Sequence, residues 1–217
     1  MAHRLLYFIL LFPVGAFSNP SDKYAPENIQ KLISTTDHGF FDYLRRLGIP
    51  EKEVLEAKGK RWLSVGEGRS NFVSEAARRG VDSQALDAVV KNPFAPERST
   101  IGLSQHLPFP DQSFDRVISV WLVDYFFDPK AFNDPESGKQ SLLEMIRVTK
   151  MGGDIRINPI QQGGVLSALD HLQSEGRIKY ETLPYFKGHF TNNGKFRVFE
   201  IDPVQQTTGS VRITRLK

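Results

Sequence analysis

The stretch LSVGEGRSNF, residues 63–72, indicates the fold of this chain, because an apolar run ends there in a glycine-bearing turn. The residues after the turn, 70–79, have helical spacing, and Gly80 ends that pattern. Glycine lets the backbone approach a ligand closely, and the start of the helix offers free N–H groups. We therefore predict a strand over 61–65 that leads into a ligand-binding turn formed by Val65, Gly66, Glu67 and Gly68.

The rest of the chain alternates between strand and helix patterns. Further strands are predicted at 83–87, 101–104, 114–122 and 154–160, and further helices at 137–149 and 164–175. Helical patterns also precede the turn, at 27–47 and 51–58, and two final strands, 197–201 and 209–215, are predicted to be joined by a hairpin-like connection. This alternation predicts an α/β fold: a Rossmann-like, doubly wound, mostly parallel sheet with an antiparallel edge strand and N-terminal helices.

Two further segments follow the turn in order. Asp87 ends the second predicted strand, 21 residues after Gly66. A carboxylate at that place can accept hydrogen bonds from both ribose hydroxyls of a nucleoside, in nicotinamide and methionine-sulfonium cofactors alike. The third segment, LPFPDQSFD at 107–115, leads directly into the apolar strand at 114–122.

The order and spacing of these three segments, over residues 60–160, resemble the class I S-adenosylmethionine-dependent methyltransferases, in their type 11-like form. The resemblance implies S-adenosylmethionine as the cofactor and a loop at 103–106 that flanks the adenine. The acid expected in that loop is missing, so Ser104 and Gln105 are the candidate polar contacts. Ser64 and Ser70 stand where the family pattern has an acid and a glycine, and Glu67 is the candidate to replace the missing acid near the methionine moiety.

The segment after the fourth strand, residues 121–129, borders the methyl group and the acceptor if ligands bind outside the carboxyl ends of the strands. Asp124 and Tyr125 are the polar candidates there for orienting a nucleophile, whereas Asp115 is interpreted as structural. An activated sulfonium needs mainly alignment of donor and acceptor, so no catalytic dyad is required. The acceptor is expected to be a small molecule, and the N-terminal helices and residues 161–193 are expected to cover it.

The composition argues against several kinds of partner and of site chemistry. The formal charge is only +3, and the basic clusters lack interleaved aromatic residues, so no nucleic-acid partner is expected. Cysteine is absent, which excludes disulfides, thiolate metal ligands and cysteine nucleophiles. The five histidines do not pair at metal-ligand spacing, so no metal is expected. The sequence does not indicate an oligomeric state.

The N-terminus has the layout of a secretory signal peptide: Arg4, an apolar run over 5–14, and small residues up to Ser18. The run is too short to span a bilayer, so no stable membrane span is expected in the mature chain. We predict a signal peptide at 1–18, a linker and N-terminal helical cap at 19–58, and a methyltransferase-like domain at 59–217. The protein would then be exported, periplasmic or secreted; if 1–18 instead pack on the domain as a helix, it would be cytoplasmic.

Two alternatives to a methyltransferase remain open. Export would separate the protein from a cofactor made in the cytoplasm, which favours a non-catalytic exported binding protein on a methyltransferase-like fold. A nicotinamide-dependent oxidoreductase is the other alternative. The dinucleotide-binding fingerprint of such enzymes has a third glycine at position 71, where this chain has Asn71.

Overall fold

A computed structural model describes residues 39–160, 163–183, 186–190, 196–201 and 209–217. The predicted signal peptide at 1–18 and the start of the predicted cap lie outside the described residues. The described helices are α1 Phe40–Arg46, α2 Glu51–Glu56, α3 Phe72–Arg78, α4 Leu122–Phe127, α5 Pro135–Val148 and α6 Gly163–Ser174. The strands are β1 Arg61–Val65, β2 Asp82–Asp87, β3 Ser99–Ile101, β4 Phe114–Val120, β5 Thr149–Asn158, β6 Ile178–Leu183, β7 Phe186–Phe190, β8 Phe196–Ile201 and β9 Ser210–Arg215.

Seven of these strands form one sheet in the order β3-β2-β1-β4-β5-β9-β6. The first five are parallel, whereas β9 pairs antiparallel with both β5 and the edge strand β6. From β1 the chain first builds outward to β2 and β3, then returns to place β4 on the other side of β1. This confirms the predicted doubly wound, mostly parallel sheet whose edge is antiparallel.

The C-terminal pairing differs from the prediction. The strand predicted at 197–201 is β8, which pairs with β7 in a separate two-stranded ribbon rather than with β9. Strand β9 instead inserts between β5 and β6, where Val211 and Ile213 are fully buried. The edge strand β6 was not predicted as a strand, because only Ile178 of its six residues is buried and its apolar signal is weak.

The sheet carries a separate hydrophobic core on each face. Helices α4, α5 and α6 cover one face, where Leu63 of β1 and Val117 of β4 point. Helices α1, α2 and α3 cover the other face, packed on Trp62 of β1 and Ile118 of β4. Neighbouring residues of β1 and β4 therefore belong to opposite cores, as strands buried on both faces require.

A buried ionic network joins the helices of the second face to the sheet. Arg116 of β4 lies 2.6 Å from a carboxylate oxygen of Asp154 on β5 and also pairs with Glu53 of α2. Arg156, also on β5, pairs with Asp154 at 3.1 Å. The guanidinium of Arg116 lies 4.4 Å from the centre of the Trp62 ring. Two arginines and two carboxylates thus balance each other beneath α1 and α2.

The same network fixes the segment between α1 and α2. The Nη1 of Arg156 donates to the carbonyl oxygens of Leu47 and Gly48, at 3.0 and 3.1 Å. The hydroxyl of Ser210 donates to the carbonyl of Arg46 at 2.6 Å. These bonds satisfy carbonyl groups at the end of α1, which its own helix leaves without partners.

No helix of the described residues is long and apolar enough to cross a membrane.

Candidate functional site

The strand register brings the predicted segments to one edge of the sheet. Val65, the last residue of β1, is paired with Leu86 of β2 on one side and Ser119 of β4 on the other. The residues that follow, Gly66, Asp87 and Trp121, therefore all leave the sheet at the carboxyl ends of its central strands. The chain reverses its direction of growth between β1 and β4, and ligands of open α/β sheets bind at such a switch point.

The turn after β1 requires glycine at two positions. Gly66 has φ 74° and Gly68 has φ 58°, both in the left-handed region that other residues avoid. The Gly66 N–H donates to the carbonyl of Leu86 at 2.8 Å, which folds the turn onto β2. A Cβ at Gly66 would lie 2.9 Å from the Cβ of Leu122, so the start of α4 touches the turn directly.

Asp87 joins this turn to the loop after β2. Its Oδ2 accepts the Gly68 N–H at 3.0 Å, and its Oδ1 accepts the N–H groups of Val89 and Val90 at 2.9 and 3.2 Å. Burial raises the pKa of Asp87, and these three backbone N–H groups oppose the rise. A carboxylate has about four acceptor positions, so three are already used. The predicted ribose contact stays a prediction, with one position open to it.

Glu67, between the two glycines, is buried inside the turn, with 3 % of its surface exposed. Its Oε1 accepts the Val73 N–H at 3.1 Å and the Asn92 side-chain amide at 3.2 Å. Among the described residues, no donor reaches its Oε2 with hydrogen-bond geometry. Burial raises the pKa of Glu67 to about 8; the charge of Asp87 adds to the rise, whereas the Ser64 hydroxyl and the Val73 N–H oppose it.

Two residues that lie beside Glu67 were not predicted from the sequence. Tyr43 of α1 is fully buried and stacks on Phe72 of α3, with ring centres 5.1 Å apart. Burial and the neighbouring Glu67 charge raise the pKa of Tyr43 well above its usual value. Asn92 donates to the Ser70 carbonyl at 2.6 Å as well as to Glu67. Pro93 and Pro96 are typical of a loop over residues 91–100, but nothing in the sequence links that loop to the glycine turn.

The predicted adenine contacts lie on the loop after β3. The hydroxyl of Ser104 is 2.8 Å from the hydroxyl of Ser141 on α5, so it docks the loop on that helix. The Oε1 of the half-buried Gln105 accepts from Ser104 at 3.3 Å. Glu144 of α5 accepts the Leu107 N–H at 2.8 Å and holds the same loop. The adenine roles of Ser104 and Gln105 stay predictions.

The segment after β4 begins with a residue whose backbone is strained. Trp121 has φ 67°, which is costly for a large side chain, and its N–H donates to the Asn158 carbonyl at 2.6 Å. The Arg46 guanidinium of α1 lies 5.5 Å from the centre of the Trp121 ring, and the Tyr125 ring lies 6.0 Å away. Such backbone strain clusters at functional sites.

The two weak catalytic candidates sit differently on α4. Asp124 is buried, whereas Tyr125 is half-buried beside Trp121. Burial raises the pKa of Tyr125, the charges of Asp124 and Asp128 add to the rise, and Arg46 opposes it. Tyr125 is therefore a neutral hydroxyl near pH 7, suited to orienting a neighbour rather than to removing a proton. Asp115, far from this segment, accepts the Arg61 N–H and the Lys150 ammonium, at 2.8 and 2.9 Å.

A comparison with protein families finds a match, which includes the glycine turn and Asp87. The profile of a family described as a methyltransferase domain matches residues 63–157, from the strand before the turn to the end of β5. Residues 63–157 are thus similar to a methyltransferase domain. No curated protein matches the chain.

Solved structures share the fold of this methyltransferase domain. A putative S-adenosyl-L-methionine-dependent methyltransferase from Methanococcus maripaludis superposes with TM-score 0.54 at 14% identity, covering 92% of this chain and 96% of that one. An S-adenosylmethionine-dependent methyltransferase from Methanosarcina mazei gives 0.53 at 15% identity, covering 76% and 96%. The YcgJ protein from Bacillus subtilis gives 0.52 at 16% identity, covering 79% and 98%. At these identities the likeness concerns the fold.

The residues at the turn fit the cofactor that the family implies. S-adenosylmethionine carries a nucleoside, a sulfonium and an ammonium group. Residues 63–157 contain an acid at the end of β2, a glycine turn that leaves room for close approach, and a buried carboxyl oxygen of Glu67 that no donor reaches within the part of the chain that the structure describes. Within the described residues, no group of three His, Cys, Asp or Glu residues is arranged to hold a metal ion.

Proposed function

We propose that the protein is an S-adenosylmethionine-dependent methyltransferase that acts on a small-molecule acceptor. One observation carries the proposal: within residues 63–157, which match a methyltransferase domain, the Gly66–Gly68 turn is hydrogen-bonded to Asp87 at the place where the order of the strands reverses. The two segments that were predicted to bind a nucleoside cofactor are thus in contact at the place where open α/β sheets bind ligands, which supports the proposal.

The proposal assigns the cofactor to one set of residues. The turn residues Val65, Gly66, Glu67 and Gly68 would lie against its amino-acid end, Asp87 against the ribose, and Ser104 and Gln105 against the adenine. When bound, the cofactor's sulfonium supplies an activated methyl group. The protein's task is then to hold donor and acceptor in line and to keep water away.

The acceptor would lie beside the segment after β4. Trp121 and Tyr125 present half-buried aromatic rings there, with Arg46 against them. The Tyr125 hydroxyl, which stays protonated near pH 7, would orient the acceptor by a hydrogen bond. Asp124 is buried on the same helix and would act on the acceptor only through its neighbours.

A non-catalytic binding protein on the same fold is the second candidate. It is favoured by Asp87, whose carboxylate is largely occupied by backbone N–H groups, and by Ser104, whose hydroxyl is used to dock its loop. It also agrees with export. We propose residues 1–18 as the export signal, and fractionation of the producing cells tests this: a cytoplasmic protein that keeps residues 1–18 would contradict it.

Calorimetric titration of the full-length protein with S-adenosylmethionine, and separately with S-adenosylhomocysteine, tests the proposed function. Binding in the micromolar range supports a working cofactor site. Absence of binding to folded protein favours the non-catalytic candidate.

A matched pair of variants tests whether the turn is the site. Gly66→Ala and Gly59→Ala both place a side chain at positive φ, 74° and 77°, and so share the conformational strain. Only at Gly66 does the added Cβ meet Leu122; at Gly59 nothing lies within 4 Å. We expect Gly66→Ala to weaken cofactor binding at least tenfold and Gly59→Ala to leave it unchanged. Equal affinities would remove the turn from the site.

A further inference from the structure

Glu67 is a buried acid without a compensating cation. One oxygen accepts two hydrogen bonds, from Val73 and Asn92, whereas the other has no donor among the described residues. None of the ion pairs in the described part of the chain includes Glu67. Burial of a carboxylate under these conditions is unfavourable, so the group is neutral at pH 7.

The charge that acts on Glu67 from the described residues is that of another acid, and its other neighbours are neutral. From α1 the Tyr43 hydroxyl faces it, and from the end of β2 the Asp87 carboxylate does. From β1 it meets the Ser64 hydroxyl, whose oxygen also lacks a hydrogen-bond partner within the described residues. Helix α3 contributes the Val73 N–H and the loop after β2 contributes the Asn92 amide, and neither is charged.

Structure alone does not require an acid at this position. Oε1 makes both hydrogen bonds of Glu67 as an acceptor, and a glutamine oxygen would accept the same two bonds without an ionisable group. What a glutamate adds is the capacity for negative charge at the glycine turn. That capacity is useful when a cation arrives, because opposite charges close together favour ionisation.

We propose that Glu67 is the counter-charge for a cationic ligand: its carboxyl is protonated in the free protein and releases its proton when S-adenosylmethionine binds at the Gly66–Gly68 turn. The inference rests on the proposed function. No covalent step is involved; the proton passes to the solvent, and the carboxylate that remains faces the net positive charge of the ligand.

The proposal has a measurable pH signature. With a pKa of about 8 in the free protein, Glu67 is roughly nine-tenths protonated at pH 7. If the bound carboxyl returns to the ordinary range near 4.5, binding releases close to one proton, and affinity rises about tenfold per pH unit between pH 6 and 7. Tyr43 does not contribute in this range because its pKa is raised above 10.0.

The test is calorimetric titration of the full-length protein with S-adenosylmethionine at pH 7, in phosphate and in Tris. These buffers differ in ionisation enthalpy, so the difference in measured heat counts the protons released. Three proteins are compared: wild type, Glu67→Gln, and Glu136→Gln as an exposed control on α5. We expect close to one proton from wild type and from Glu136→Gln, and a value near zero from Glu67→Gln, whose affinity is weaker at pH 8 and nearly flat from pH 6 to 8.

Each other result has a definite meaning. Binding by wild type without proton release, or with the same release from Glu67→Gln, overturns the role of Glu67 and leaves the proposed function standing. No binding by any of the three folded proteins overturns the proposed function and the inference together. Thermal unfolding of Glu67→Gln checks that it is folded, which we expect because it keeps both hydrogen bonds.

Discussion

Two buried polar clusters lie on the same face of the sheet, at opposite ends of its strands. Near the amino end of β4, Arg116 and Arg156 face Asp154 and Glu53, and the charges balance. At the carboxyl ends, Glu67 lies beside Asp87, and no cationic side chain of the described residues forms an ion pair with Glu67. The charges of the first cluster balance and are explained by folding, although Nε and Nη1 of Arg116 have no hydrogen-bond partner within the described residues. For the unbalanced cluster, we propose a ligand that brings the missing charge.

The largest expected effect concerns the balanced cluster. Asp154→Ala removes the carboxylate that Arg116 and Arg156 share, and leaves two buried guanidinium groups with a single acid between them. We expect a loss of about 3–5 kcal/mol in the free energy of unfolding, measured by urea denaturation. Arg212→Ala is the control, since Arg212 is partly exposed and should cost about 1 kcal/mol or less. Similar losses for both variants would contradict the comparison.

At the unbalanced cluster, replacing the Glu67 carboxyl with an amide should raise the free energy of unfolding rather than lower it. The pKa of Glu67 is about 8 when folded and near 4.5 when unfolded, so its contribution to stability is complete below pH 4.5 and is lost as pH rises to 8. Glu67→Gln does not suffer this loss. We expect it to be more stable than wild type at pH 8, by about 4 kcal/mol, and similar at pH 4.5. Denaturation at the two pH values measures this; a variant that is less stable at pH 8 would refute the assignment.

Asp87 connects the unbalanced cluster to the nucleoside. Asp87→Ala removes a charged acceptor of the Gly68 N–H and of the predicted ribose contact. We expect S-adenosylmethionine binding to weaken by about 1–3 kcal/mol, roughly 5- to 150-fold, as measured by calorimetry on folded protein. Unchanged affinity would exclude Asp87 from the site.

The smallest effect separates two roles of Ser104. Its hydroxyl bonds to Ser141, so Ser104→Ala should lower the free energy of unfolding by about 1 kcal/mol. Ser141→Ala removes the same bond from the other side and serves as the matched variant. If Ser104 also contacts the adenine, only Ser104→Ala weakens cofactor binding; equal affinities for the two variants would restrict Ser104 to docking its loop.

The parts of the fold that follow from local pattern were predicted. The apolar run bounded by Arg61 and Gly66 is β1 with the predicted bounds, and the spacing to Asp87 is realised because Val65 pairs with Leu86. Strand β6 was missed because only Ile178 of its six residues is buried, so its apolar signal is weak. The partners of β8 and β9 depend on long-range pairing, which no local pattern specifies.

Only part of the candidate site was predicted, namely the glycine turn and the acid at the end of β2. Gly66, Gly68 and Asp87 carry signals of residue type and spacing, and the structure brings them together. Tyr43 and Asn92 reach Glu67 from elements distant in sequence, so their contribution is purely tertiary. Arg116 and Arg156 were missed because charged residues are usually found at the surface, and their burial depends on partners from other elements.

A crystal structure of the full-length protein with S-adenosylhomocysteine tests the central claim most directly. The account predicts the ligand at the carboxyl ends of β1 and β4, with its ribose at Asp87 and its amino-acid end beside the Gly66–Gly68 turn. Ligand bound elsewhere on the chain, or no ligand beside Asp87 and the Gly66–Gly68 turn at saturating concentration, would contradict it.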